Sequence, residues 1–456
     1  MLSSQLRSVS CVLAEMKRQS LRFGLWFLFL ASAWGAVPHS SNADAGLDLG
    51  FGDSGIASSM SGGPDAARGI VEGPAGRIVA VGGYSKDGSS CSGIYATRFL
   101  PSGEVDDTFG FGGRVRGPTL CETAEEVAVG AKGGLYLGGW KICRSDLLLS
   151  CQVVAQRLGA NGLPAKSWAF GSGVGRRFVF NGNPGPGASG LATNDIDLDA
   201  RGRILLAGTS IHGRKRSGGF ILRLKPDGEL DRSLVGSRRS SSRIHGMIEM
   251  LPPEHQHGSF STLKSLGNGR ILAAGTRNGR IWAFQALNSG RADPEFAIGG
   301  AFSVDLDGTR CKCTFGSTMA RDYHRRILIA GGAYRASSPG SVRTLSPVLV
   351  RLKASGRLDE SFGSGGVKRP DVPGFLANSV AIDRRGRIVM VGRIDQDPAM
   401  VRLLPDGNLD RDFFEDGVVD VPGSSAEDVL IDTSGRIVIG GRYKFGGMQV
   451  VRYLSD

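Results

Sequence analysis

The chain has 456 residues, 41% of them hydrophobic, enough for one large core or two to three smaller ones. Its 70 glycines follow no Gly-X-Y period, which excludes a collagen-like chain and points to many tight turns between short strands. The formal net charge of +12 suggests nucleic acid or an acidic polymer only until the arginines are placed in the sequence pattern.

The first element is a leader. Lys17, Arg18 and Arg22 precede an apolar run from Phe23 to Val37, too short for a membrane span and laid out like a secretory signal. Small-x-small sites follow at Ala31-Ser32-Ala33 and Ala43-Asp44-Ala45. Cleavage is expected near Ala45, because repeat-like sequence begins there, so residues 1–45 read as signal peptide and 46–456 as one domain. Met16 is an alternative start, and an uncleaved anchor is the competing reading. No cysteine ends the apolar run, which argues against a lipoprotein.

Past the leader, one unit keeps returning. Its first landmark is Gly-Arg-Ile followed by apolar residues and glycine, with anchors at Ile78, Leu135, Ile204, Ile271, Ile327, Ile388 and Ile437. Its second is Arg-Leu, a turn ending in glycine, then Leu-Asp, with arginines at Arg98, Arg157, Arg223, Arg351, Arg402 and Arg452, and Gln285 in the fourth copy. Each unit reads as four strands. Strand A ends in aspartate, as at Asp199, Asp383 and Asp432; B is the "RIVMVG" type, C the "AMVRL" type and D the "LDxxFG" type. Glycine supplies the positive φ of the A–B and C–D hairpins. Four-stranded units at this period predict an all-β fold, a seven-bladed β-propeller of antiparallel blades. The chain stops after strand C of the seventh unit, and "AGLDLGFGDSGIA" from Ala45 reads as the missing strand D. Leu47 to Gly52 are therefore expected beside Val450 to Leu454, closing the ring and removing free sheet edges.

With "GRIVAVGG" from Gly76 and "DGNLDRDFFEDG" from Asp406, the chain resembles the delta-60 repeat β-propeller proteins of exported bacterial origin. "GGLYLGG" from Gly133 departs by lacking the arginine, and Leu234-Val235-Gly236 replaces Phe-Gly. The resemblance implies fold and export, with no established activity and no catalytic residues.

The repeat also accounts for the charge. Arg77, Arg203, Arg270, Arg326, Arg387 and Arg436 precede the strand B anchors; with the six strand C arginines they make twelve. Facing them stand Asp48, Asp106, Asp231, Asp293, Asp359 and Asp410. About the C–D turn, Arg98 meets Asp106, Arg223 meets Asp231, Arg351 meets Asp359 and Arg402 meets Asp410. Cross-strand pairs worth roughly 0.2–1 kcal/mol each are predicted. A ring of arginines gripping an anion is the alternative.

Length variation concentrates in the B–C connections (84–93, 140–151, 209–219, 333–346) and the D–A connections (181–190, 236–261), which would share one face. Six cysteines lie in or beside them: Cys91, Cys121, Cys143, Cys151, Cys311 and Cys313. In an exported chain they are disulfide candidates, Cys91 with Cys121 and Cys143 with Cys151 being the natural pairs; Cys311 and Cys313 are too close for an unstrained bond. Without C-x-x-C or a nearby histidine pair, no zinc is expected. The basic stretches Arg214-Lys215-Arg216 and Arg238-Arg239 with Arg243, joined by His245, are the candidate ligand-binding residues. Glu249, Glu254, His255 and His257 add a His-x-His that is more often incidental than metal-binding. "DIDLDARG" from Asp195 mimics a calcium loop but has Leu206 where glutamate is required. No nucleophile elbow, P-loop or HExxH is present, and no catalytic residue, metal or cofactor is assigned.

The functional expectation is an exported, monomeric, non-catalytic binding or scaffold propeller contacting protein or polysaccharide, not nucleic acid, through the variable-loop face. A glycan lyase or hydrolase at the channel mouth of that face is the alternative, with His245, Glu249 and Glu254 its clearest residues. A structural module in a surface assembly is a third option.

Overall fold

The computed structural model describes residues 46–60, 66–84, 93–117, 121–145, 148–165, 168, 177–180, 190–212, 216–236, 244–253, 256–306, 314–336 and 343–455. Residues 1–45, where a leader and its cleavage sites are expected, lie outside them. Strand β1 (Ile56–Ser59) comes first, and six groups of four strands follow. The first is β2 (Gly69–Glu72), β3 (Ile78–Tyr84), β4 (Gly93–Phe99) and β5 (Arg114–Arg116). The second is β6 (Glu122–Val129), β7 (Leu135–Ser145), β8 (Leu148–Leu158) and β9 (Arg177–Phe180). The third is β10 (Gly190–Leu198), β11 (Ile204–His212), β12 (Arg216–Leu224) and β13 (Met247–Met250). The fourth is β14 (Gly258–Ser265), β15 (Ile271–Arg277), β16 (Arg280–Ala286) and β17 (Ala301–Val304). The fifth is β18 (Thr314–Arg321), β19 (Ile327–Ala336), β20 (Arg343–Leu352) and β21 (Val367–Lys368). The sixth is β22 (Phe375–Ile382), β23 (Ile388–Ile394), β24 (Asp397–Leu403) and β25 (Val418–Asp420). Strands β26 (Ser425–Ile431), β27 (Ile437–Arg442) and β28 (Met448–Tyr453) complete the chain and take β1 as their fourth member. Within each group the strands run antiparallel in chain order; a single parallel bridge, Gly190 to Cys151, joins the second and third groups into one eight-stranded sheet.

All seven strand B anchors open a strand: β3, β7, β11, β15, β19, β23 and β27 begin at Ile78, Leu135, Ile204, Ile271, Ile327, Ile388 and Ile437. The glycine ending that motif answers a bulge. Asn378 is the extra residue in β22, between Ala377 opposite Gly392 and Ser379 opposite Val391. A Cβ on Gly392 would stand 1.9 Å from the Leu376 carbonyl oxygen, so only glycine fits. The same bulge recurs in β6, β10, β14, β18 and β26.

Packing between groups makes seven apolar clusters, each drawn from two groups. One of them joins Val438, Met448 and Val450 to Ile70, Ile78, Ala80 and Tyr95. The start of the described chain lies beside its last strand, with the ladder over Ile56–Ser59 and single contacts from the expected Leu47–Gly52 segment. Ile56 to Ser59 pair with Val451 to Met448, Leu47 bridges Tyr453, and the Leu454 N–H donates to the Gly46 carbonyl at 2.8 Å.

Two expectations need correction. "LDxxFG" is not strand D. It is a turn whose Phe plugs the interface beneath an arginine, and strand D is the short apolar segment after it, such as β5, β21 or β25. The variable connections are also less loop-like than expected. Pairing continues to Ser145–Leu148, His212–Arg216 and Ala336–Arg343, and the 236–261 segment contains strand β13. Their uneven length between the strand motifs suggested loops, but the hydrogen-bonded ladder carries on through them.

Candidate functional site

The strand C arginines are built as clamps. Arg223 Nε donates to Asp231 Oδ2 at 2.7 Å and its Nη1 to the Asn288 carbonyl of the fourth group at 2.6 Å. Arg351 pairs with Asp359 and reaches the Pro405 carbonyl; Arg402 pairs with Asp410 and reaches Ser455; Arg452 pairs with Asp48 and reaches Pro101. Arg98 pairs with Asp106 and donates to Ala160. Each acceptor is the same residue of the next C–D turn. Four of these guanidiniums also lie 3.6–4.7 Å from the ring centroid of Phe51, Phe109, Phe362 or Phe413. Burial alone would raise the carboxyls of Asp106, Asp231 and Asp359; hydroxyl bonds from Thr108, Ser233 and Ser361, with the arginines, outweigh it and hold all three below the ordinary aspartate value. Strand B arginines pair as well, with Asp199, Asp322, Asp383 and Asp432 four residues earlier and with Asp106 and Asp293. Eleven of the twelve repeat arginines are thus in ion pairs, and the twelfth, Arg157, lies over Tyr136.

Arg157 has Ala165 where the other copies have aspartate. Trp168 compensates. Its indole N–H donates at 3.1 Å to the Pro226 carbonyl, the position an arginine would otherwise reach. Trp168→Phe should therefore cost about 2 kcal/mol in urea unfolding, a lost hydrogen bond plus the small cavity left by the smaller ring at a fully buried site.

A second constellation, which the sequence reading missed, lies on the A strands. Asp195 Oδ2 accepts the Leu263 N–H at 2.6 Å and Asp197 Oδ2 accepts the Ser265 N–H at 2.7 Å, so two carboxylates of β10 flank Lys264 on β14. Asp428 on β26 accepts the Ile70 N–H at 2.9 Å and the Ser379 hydroxyl at 2.7 Å. Arg68 pairs with Glu125 at 3.2 Å. Burial pushes Asp195 up to about 6, against the pull of Lys264. Burial, then Asp428 and Asp195, push Glu126 well above the ordinary glutamate value. Burial would lower Lys264, but Asp195, Asp197, Glu126 and Asp428 raise it. The signal was present as Glu125-Glu126, Asp195-x-Asp197 and Glu427-Asp428 inside strand A. Chemically, these carboxylates satisfy N–H groups on the edge of a neighbouring A strand.

The expected ligand residues are not brought together among the described residues. Arg216 opens β12 opposite His212, and His245 is exposed in the turn before β13. Arg214, Lys215, Arg238, Arg239, Arg243, Glu254 and His255 lie outside the described residues. Glu249 Oε1 accepts from His212 Nε2 at 2.7 Å, and His257 lies 3.4 Å from the buried Ser217 hydroxyl, so the histidines go to separate partners. Asp195 and Asp197, read as a failed calcium loop, sit on β10. Cys121 precedes β6 at φ 58°; Cys143 stands opposite Ser150, and the buried Cys151 opposite Ile142. Cys91, Cys311 and Cys313 lie outside the described residues. A pocket lined by Asp322, Arg326, Arg351, Gly386 and Pro405 lies at a clamp, its charged groups already in ion pairs. No described helix is long and apolar enough to cross a membrane.

A family model described as a beta-propeller domain of unknown function, DUF5122, matches residues 202–234 and 386–413. Those segments hold Arg203, Arg223 and Asp231, and Arg387, Arg402, Asp410 and Phe413, so the match falls on the clamp and supports a β-propeller fold. No curated protein sequence matches. Among solved structures, a glucose dehydrogenase is similar at 10% identity over 88% of this chain and 99% of its own, with a TM-score of 0.42. A putative gluconolactonase is similar at 12% identity over 89% and 94%, with a TM-score of 0.33. An α-L-arabinofuranosidase of Fusarium graminearum, in complex with an iminosugar inhibitor, is similar at 10% identity over 72% and 91%, with a TM-score of 0.45.

Proposed function

We propose that the chain is an exported seven-bladed propeller of the delta-60 repeat type, closed by its head-to-tail pairing, that serves as a non-catalytic binding or scaffold module. It contacts protein or polysaccharide through the face bearing the B–C and D–A connections. The observation carrying this reading is the uneven length of the B–C hairpins. Strands B and C have seven residues each in the first, fourth and sixth groups, but eleven in the second, nine in the third and ten in the fifth. The opposite face is occupied by clamps and tight turns. Extended hairpins on a rigid scaffold offer contact surface at little entropic cost. Cys91–Cys121 is proposed as a bridge on the same face, visible as a mass change on reduction.

The test is a binding screen of the processed protein against immobilised polysaccharides and extracellular proteins, repeated with residues 142–151 replaced by Asn-Gly. The trimmed protein should keep its Tm and lose at least tenfold in affinity for any ligand found. Undiminished binding after trimming the second, third and fifth hairpins would refute the proposed face. Release of soluble sugar product would replace the binding role with the glycan-active one.

A further inference from the structure

Six of the seven junctions between consecutive groups carry a side-chain clamp to the next C–D turn. Arg98, Trp168, Arg223, Arg351, Arg402 and Arg452 donate to the carbonyls of Ala160, Pro226, Asn288, Pro405, Ser455 and Pro101. The fourth group has Gln285 at this position. Its amide ends on Asp293 at 2.7 Å, and among the described residues nothing donates to the equivalent carbonyl, that of Ala354. The Phe296 ring that should lie beneath a guanidinium is in place and fully buried, and Asp293 is already paired with Arg270 as Asp231 is with Arg203. Everything for the clamp is present except the arginine.

We propose that the junction between the fourth and fifth groups is a built-in opening point, where the turn side of the ring parts first. The inference rests on the closed-ring reading. At the inner end this junction stays pinned, since the Ser261 hydroxyl donates to the Gly316 carbonyl at 3.1 Å and the Gly316 N–H donates to the Thr276 hydroxyl at 3.0 Å. At the turn side it depends on one backbone bond, Ala297 N–H to Ser355 carbonyl, at 2.7 Å. The corresponding bonds elsewhere are Gly52 to Ser102, Gly110 to Asn161 and Val235 to Ser289, and each of those lies beside an arginine clamp. A hydrogen bond from a charged donor to a carbonyl contributes more than a neutral one, so its absence singles out one junction in an otherwise repeated design.

Hydrogen exchange on the processed protein tests this, using those four equivalent amides as reporters and correcting each for its intrinsic rate. The Ala297 amide should exchange about tenfold faster than those of Gly52, Gly110 and Val235. Gln285→Arg should slow it about tenfold and leave the other three unchanged. Arg351→Gln should move fast exchange to the Phe362–Val367 turn, which keeps the test decisive if the first variant folds poorly. Equal rates at all four amides, or an Ala297 rate unmoved by Gln285→Arg in a folded protein, would overturn the opening point and leave ring closure standing. Fastest exchange at Gly52 and Leu454 would overturn both, because the ring would then part where head meets tail.

Discussion

Asp231→Ala is expected to destabilise the protein by about 3–5 kcal/mol, the cost of leaving a buried cation without its partner. Asp231 accepts Arg223 Nε at 2.7 Å, Arg203 Nη1 at 3.4 Å and the Ser233 hydroxyl at 2.6 Å. Arg223 is 1% exposed as a side chain, so no water can replace the lost carboxylate without the group opening. This exceeds the 0.2–1 kcal/mol that an exposed cross-strand pair would contribute. Lys225 with Glu229, on the same turn but 46% and 40% exposed, is the internal contrast: Glu229→Ala should leave the urea midpoint nearly unchanged. The double variant Arg223→Met with Asp231→Leu should recover much of the loss, since an apolar pair of similar volume often replaces a buried ion pair at no cost. Urea unfolding of the four proteins decides the matter. A loss under 1 kcal/mol for Asp231→Ala would mean that the clamps are ornamental and that apolar packing alone joins the groups.

The eight-residue offset from arginine to aspartate was legible because it follows from hairpin symmetry about a glycine turn. The strand B anchors were legible because an apolar run bounded by Arg and Gly has one sensible start. What escaped was everything that depends on which strand lies beside which. Leu-Asp-x-x-Phe-Gly looks like a strand because Leu and Phe, four residues apart, would share one face of an extended segment. Only the position of Phe413 beneath Arg402 shows that it is a plug in a turn. Glu126, Asp195 and Asp428 belong to three different repeats, and in sequence each reads as a solvent-facing residue of a half-buried strand. Their convergence with Lys264 exists only once A strands of separate groups face one another. Trp168 was invisible for a related reason, since its partner, Pro226, lies in the next repeat.

That convergence has a consequence for pH. Asp195 is raised from 3.8 in the unfolded chain to about 6 in the fold, and Glu126 moves the same way. A carboxyl raised on folding binds its proton more tightly in the native state. Stability therefore rises as pH falls through 6 toward 4, and this contribution is complete below the unfolded value. Two pKa units correspond to about 3 kcal/mol at most for the coupled group, with Lys264 and Asp197 facing it from β14 and β10, Glu126 from β6 and Asp428 from β26. The clamp aspartates act oppositely. Asp106, Asp231 and Asp359 are held below their unfolded values, so their contribution is lost only as pH falls below about 4. The two sets together contribute most between the clamp aspartates' lowered values and the raised value of Asp195, near pH 4–5. Asp195→Asn keeps one oxygen for the Leu263 N–H but turns its amide toward the Ile196 N–H that Oδ1 accepted at 2.7 Å, so it should cost stability at both ends while flattening the profile between pH 4.5 and 7.5, since it carries no titrating charge. Urea midpoints of both proteins at those two pH values test this. A wild-type protein less stable at pH 4.5 than at 7.5, with Asp195→Asn following the same slope, would show that the inner carboxyls are ordinary solvated acids.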